Sequence, residues 1–164
     1  MLMYEKWHKK PTVLLLHGLD GSIDNEQLSI LEDLDYNVLS LTLDYRTVNA
    51  WDIIKNISVD GVIGHSLGGF MAYYFSNFKK IPCLMFMPDF GKEMHDVQKL
   101  EKSILDLPVY KNKIVVTGTE DEDVDIEANN KILKGIKTYE VKSDHMPSLD
   151  VFKKYVKEFK KLRI

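Results

Sequence analysis

The chain has one cysteine among 164 residues, so no internal disulfide can brace it. That residue, Cys83, lies inside an apolar stretch and reads as a core side chain, not a reactive thiol. No apolar run approaches the length needed to span a bilayer. Residues 1–10 are polar and lack the apolar heart of an export signal, which makes a cytoplasmic location the default expectation. An excess of either charge is missing too. The net charge of -3 implies no general affinity for nucleic acid or an anionic membrane surface. Repeats, low-complexity tracts and linker-like stretches are absent. The expectation is one domain over 1–164, with 1–10 an N-terminal segment and 11–164 the core.

What the sequence does contain is a regular alternation. Short apolar runs at 12–16, 37–43, 59–63, 81–87, 114–117 and 138–141 read as strands, several continuous enough to be covered on both faces. Between them apolar residues recur at helical spacing. Leu28, Leu31 and Leu34 follow a cap at Ser22 or Asp24, and Trp51, Ile54 and Ile57 mark a weaker helix over 47–57. Leu67, Phe70, Met71, Tyr74, Phe75 and Phe78 form the next helix. Met94, Val97, Leu100 and Ile104 suggest a helix within 91–107, and 125–133 another that ends near Gly135 as its C′ glycine. Leu149, Phe152, Val156 and Phe159, joined by Val151 and Tyr155, line the last. Such alternation predicts an α/β fold, a parallel sheet with helices on both faces. Ligand sites in these sheets lie beyond the carboxyl ends of the strands. The loops there carry His17-Gly18, Ser66, Asp89, Asp121 and His145.

Ser66 sits at the centre of Gly64-His65-Ser66-Leu67-Gly68, between a strand and a helix. Glycines two residues to either side permit a turn so tight that the serine backbone is strained and its hydroxyl is pushed outward. A serine needs a base to become a nucleophile, and histidine suits, with a free pKa of about 6.5. Of five histidines, His8 lies in the polar N-terminal segment and His95 on a surface helix, while His17 and His65 belong to motifs explained by their other members. His145, on the loop between the last strand and the last helix, is the candidate base. Its orienting carboxylate is expected to be Asp121, with Asp123 and Asp89 as alternatives. An acidic helix start is the bland reading of residues 120–127. A calcium loop does not fit, because Ile126 and Ile132 stand where its glycine and bidentate glutamate belong. An oxyanion would be held by the backbone N–H groups of Leu67 and Leu19. No metal or cofactor is expected. The lysines of the last helix, Lys153, Lys154, Lys157, Lys160 and Lys161 with Arg163, read as a solvated face, not a nucleic-acid surface.

These residues resemble the α/β-hydrolase superfamily. Val13-Leu14-Leu15-Leu16-His17-Gly18 is similar to its oxyanion-loop strand, and Gly64-His65-Ser66-Leu67-Gly68-Gly69 to its nucleophile elbow. Gly118-Thr119-Glu120-Asp121-Glu122-Asp123-Val124 is similar to its acid loop, and Asp144-His145 stands where that family keeps its histidine. The order Ser, Asp, His agrees as well. The resemblance runs from about Pro11 onward. It implies a minimal α/β-hydrolase fold of about six mostly parallel strands, equivalent to the third to eighth of the family, without its first two strands. Residues 87–113 leave room for one or two helices and no large cap domain. In size the chain resembles compact bacterial serine esterases. The implied activity is cleavage of small or short-chain acyl esters through an acyl-enzyme. Thioester or amide cleavage, or a non-catalytic binding role on the same scaffold, are the alternatives. The implied partner is a small acyl substrate, and the sequence does not fix an oligomeric state.

Overall fold

The computed structural model describes residues 9–162. His8, Arg163 and most of the expected N-terminal segment lie outside the described residues. The elements alternate as β1 (Thr12–Leu16), α1 (Asn25–Asp33), β2 (Asn37–Leu41), α2 (Ala50–Ile54), β3 (Gly61–His65), α3 (Leu67–Lys79) and β4 (Cys83–Phe86). They continue as α4 (Lys92–Val97), α5 (Lys102–Leu105), β5 (Lys113–Gly118), α6 (Ile126–Ile132), β6 (Lys137–Val141) and α7 (Leu149–Lys160). The six strands form one sheet in the order β2-β1-β3-β4-β5-β6, and every neighbouring pair is parallel. The chain therefore has the fold of the α/β hydrolases, with only two short helices between β4 and β5 and no cap domain among the described residues.

Period-two alternation along the strands sorts their side chains onto two apolar layers. Leu14, Leu16, Val62 and Met85 face a core shared with α2, α3, α4 and the end of α6. Val13, Leu15, Ile63, Leu84 and Phe86 face the other way, onto α1 and α7. Helix α3 is buried almost throughout, from Leu67 to Asn77, as its nearly unbroken apolar sequence requires. Helix α7 buries Phe152, Tyr155, Val156 and Phe159 and leaves its lysines exposed, as a solvated face should. Cys83 is wholly buried, and loss of water raises its thiol pKa to about 12, so it stays protonated and inert.

Several local readings are corrected. Asp24, not Ser22, caps α1 by accepting from the Glu26 N–H. The helix expected over 47–57 shrinks to α2, capped by Asn49, and Ile57 falls beyond its end. Phe78 is exposed rather than core, with its ring edge-on to Trp51. Gly135 does adopt a left-handed φ of 81°, but two residues past the cap at Leu133, which makes it C″. The apolar series Met94, Val97, Leu100, Ile104 is split into α4 and α5 at Gln98. The Gln98 side chain is buried and spent on distant backbone: it donates to the carbonyls of Tyr45 and Val48 and accepts from the Ala50 N–H at 2.8 Å. It thereby fixes the start of α2.

Candidate active site

Ser66 stands at φ 53° and ψ -119°, a conformation that L-residues avoid, at the junction of β3 and α3. Holding a non-glycine residue there costs about 1–3 kcal/mol, and the surroundings enforce it. Its N–H donates to the Phe86 carbonyl on β4 at 3.0 Å. A Cβ on Gly64 would collide with the backbone of Gly68, and one on Gly68 with the carbonyls of Leu16 and His17. Both positions therefore demand glycine on space alone. The strand end, the first turn of α3 and the end of β1 are pressed together here, which turns the Ser66 hydroxyl out of the sheet.

The loop between β6 and α7 brings His145 over that hydroxyl. Its Nε2 lies 2.8 Å from Ser66 Oγ, across 79 residues of sequence. On the other side Nδ1 lies 3.1 and 3.0 Å from the two carboxylate oxygens of Asp121, on the loop after β5. A carboxylate beside Nδ1 places the imidazole proton there, so the Nε2 lone pair is turned toward the serine O–H. The Asp121 carboxylate is 1% exposed, the imidazole 20%. Burial shields their attraction from water and keeps the pair aligned, while the Nε2 edge still reaches the cavity.

Neither alternative acid hydrogen-bonds the imidazole. Asp123 is exposed, and its backbone N–H donates to Asp121 Oδ1 at 3.0 Å. Its carboxylate comes within 4.8 Å of the Asp121 and His145 ligand atoms, near enough to contribute charge but with no hydrogen bond to the imidazole. Asp89 is buried and accepts from the N–H groups of Gly91 at 2.9 Å and Asp125 at 3.2 Å. It ties the loop after β4 to the start of α6 and makes no hydrogen bond with His145.

The two N–H groups expected to hold an oxyanion lie just beyond the ends of β1 and β3. Leu67 is the first residue of α3, where N–H groups lack intrahelical acceptors and the helix dipole is positive. Among the described residues neither the Leu67 nor the Leu19 N–H donates to a protein acceptor. His17 is buried and wholly engaged: its Nε2 accepts the Leu43 N–H at 2.9 Å, its Nδ1 meets the Gly18 carbonyl, and its own carbonyl accepts the Tyr45 hydroxyl. This network fastens the Leu19 loop to the loop after β2. The Tyr45 hydroxyl is deeply buried, and its pKa is pushed above its ordinary value by desolvation. Asp20, next to Leu19, is gripped at 2.8 and 2.7 Å by the forked guanidinium of Arg46.

Two features escape a sequence reading. His65 Nε2 lies 2.7 Å from the backbone carbonyl of His145, a contact between residues 80 apart that no local pattern signals. Lys113 is 2% exposed at the start of β5, where an apolar run gives no hint of a buried ammonium. Its Nζ donates to Ser76 Oγ at 2.8 Å and to the Tyr110 carbonyl, and faces the rings of Tyr73 and Tyr110.

A cavity of about 450 Å³ opens at Ser66 and His145. It runs into the α1 and α7 side of the sheet, walled by Leu15, Ile23, Ile63, Phe86, Pro147 and Phe152. Among the described residues no lysine or arginine lines it. Ile23 before α1, and Met146 and Pro147 before α7, contribute to its lining.

No protein-family model and no curated protein matches this chain. Solved structures do. Est1E from Butyrivibrio proteoclasticus superposes with a TM-score of 0.67 at 18% identity, covering 93% of this chain and 88% of that one. The fluorophosphonate-binding serine hydrolase FphF of Staphylococcus aureus gives 0.61 at 13% identity, covering 98% and 87%. A thioesterase domain from the curacin biosynthetic pathway gives 0.61 at 12%, covering 92% and 91%. At such identities the likeness is one of fold.

Proposed function

We propose that this protein is a serine hydrolase that cleaves carboxylic esters through an acyl-enzyme. The observation that carries the reading is the continuous relay from Ser66 Oγ through the His145 imidazole to the buried Asp121 carboxylate. In the first half-reaction His145 Nε2 takes the Ser66 proton as Oγ attacks the ester carbonyl carbon. Asp121 holds the resulting imidazolium, and the N–H groups of Leu67 and Leu19 receive the oxyanion. Nε2 then protonates the departing alkoxide, which leaves as the alcohol. Water repeats the sequence on the acyl-serine: Nε2 takes its proton, and the carboxylic acid leaves as Ser66 recovers its own. The serine-hydrolase name of the Staphylococcus aureus neighbour agrees with this chemistry.

The cavity favours a neutral acyl group. With Asp24 in its lining and no lysine or arginine there among the described residues, a carboxylate or phosphate tail would be desolvated without compensation. Its volume equals roughly fifteen waters at about 30 Å³ each, and a methylene fills about as much space as a water. Part of that space is the open mouth, so an acyl chain of about six to eight carbons fits the remainder. Thioesters would use the same atoms, in keeping with the thioesterase among the neighbours.

The test is labelling with a fluorophosphonate probe. Wild type is expected to be modified at Ser66, and Ser66→Ala to be unmodified. Labelling that survives the substitution eliminates Ser66 as the nucleophile.

A further inference from the structure

We propose that His65 is a positioning residue that clamps the loop carrying His145 onto the nucleophile elbow, through its Nε2–H donated to the backbone carbonyl of His145. The proposal rests on the reading of Ser66, His145 and Asp121 as a working triad. His65 is the last residue of β3 and immediately precedes Ser66, so its backbone is part of the rigid elbow. His145, by contrast, sits on a loop joined to the sheet at β6, the edge strand furthest from β1. Between the elbow and that loop the structure provides two polar ties: the Ser66–His145 hydrogen bond itself and the His65 bond to the His145 carbonyl at 2.7 Å. During catalysis the first is broken and remade with each proton transfer. The second does not take part in the chemistry and persists throughout.

The geometry leaves His65 little freedom. Its ring centroid is 5.0 Å from that of His145, and the backbone of Gly18 closes over its Nδ1, where a Cβ on Gly18 would come within 3.1 Å. The charged and titratable groups that face it come from three elements: His145 before α7, Asp121 after β5 and His17 after β1. Burial, chiefly, lowers its pKa below the ordinary imidazole value. The hydrogen bond to the His145 backbone opposes this, and the charge that His145 can carry reinforces it. A neutral ring suits the role. It donates one proton from Nε2 and puts no cation beside the imidazolium that His145 becomes in the transition state.

The test compares His65→Gln with His65→Asn. Glutamine can bring an amide N–H to the position of Nε2 and remake the clamp without a titrating ring. Asparagine ends near the position of Nδ1 and cannot reach the carbonyl. The Asn variant is expected to lose about ten- to a hundredfold in kcat with KM unchanged, the loss expected when a base is displaced by about an ångström. The Gln variant is expected to stay within about threefold of wild type. Independently of activity, the His145 ring proton resonance should broaden or split in the Asn variant and remain single in wild type and the Gln variant. Equal behaviour of the two variants in either measurement overturns the proposal. If fluorophosphonate leaves wild-type Ser66 unmodified, the triad reading fails on its own, and the resonance comparison still decides the clamp.

Discussion

Asp121 holds His145 with both carboxylate oxygens, and one of those oxygens also accepts the N–H of Asp123. The Asp121 carboxylate is thus fixed by its own loop as well as by the imidazole. Asp121→Asn turns an amide toward Nδ1, favours the wrong tautomer and should lower kcat/KM by about a thousandfold or more. Asp123→Asn leaves the backbone donor in place and should cost no more than about threefold, a weak electrostatic effect at an exposed site. Steady-state kinetics on a p-nitrophenyl ester separates them, and similar losses would refute the assignment.

The conformation of Ser66 gives a test on stability rather than activity. Ser66→Gly removes the Cβ that makes φ 53° unfavourable, whereas Ser66→Ala retains it. Both should be inactive, yet the Gly variant should be more stable than the Ala variant by about 1 kcal/mol in urea unfolding. A Gly variant equal to or weaker than Ala would show that the elbow is not strained.

The cavity predicts a length preference. Each methylene added to the acyl chain should raise kcat/KM by about fourfold, the equivalent of about 0.8 kcal/mol, until about eight carbons, and then level off. Ile23→Trp, which enlarges a side chain of the cavity lining, should shift the plateau to shorter chains and leave acetate cleavage nearly intact. A flat profile from acetate onward would mean that the cavity does not take the acyl group.

Lys113 sets a pH dependence remote from Ser66. Desolvation lowers its pKa to about 8, well below the ordinary lysine value. Below pH 8 the ammonium is charged in both folded and unfolded chains, and its burial cost of about 3 kcal/mol is felt in full. As pH rises from 8 toward the unfolded lysine value, the folded chain sheds the proton first, so this contribution to stability improves. Lys113→Met should therefore be more stable than wild type at pH 7, by about 1–2 kcal/mol after its lost hydrogen bonds are counted, with the gap closing toward pH 10. Urea unfolding at both pH values checks the sign.

Much of this was legible in the residues because it is local. The elbow needs two glycines at fixed offsets, and the strands of a doubly covered sheet are short apolar runs, so both leave a continuous trace. The placing of His145 and Asp121 followed from topology, since both lie after strands of one parallel sheet. What escaped was held by single long-range bonds. Gln98 divides a helical apolar series because its amide serves α2, about fifty residues earlier. His65 reads as one more residue of the elbow motif, whereas its ring bonds the carbonyl of His145, 80 residues on. Lys113 satisfies its ammonium with Ser76 and Tyr110, neither of which marks the strand as unusual.

The sheet order has a consequence for the chain as it is made on the ribosome. Strand β3 with its elbow lies between β1 and β4, both already synthesised by residue 86, whereas His145 arrives only after the outermost strand β6. The base proposed for Ser66 is thus the last of its neighbours to be synthesised. If Ser66 and His145 act as proposed, the nucleophile gains its base only once β6 and the loop after it have been added.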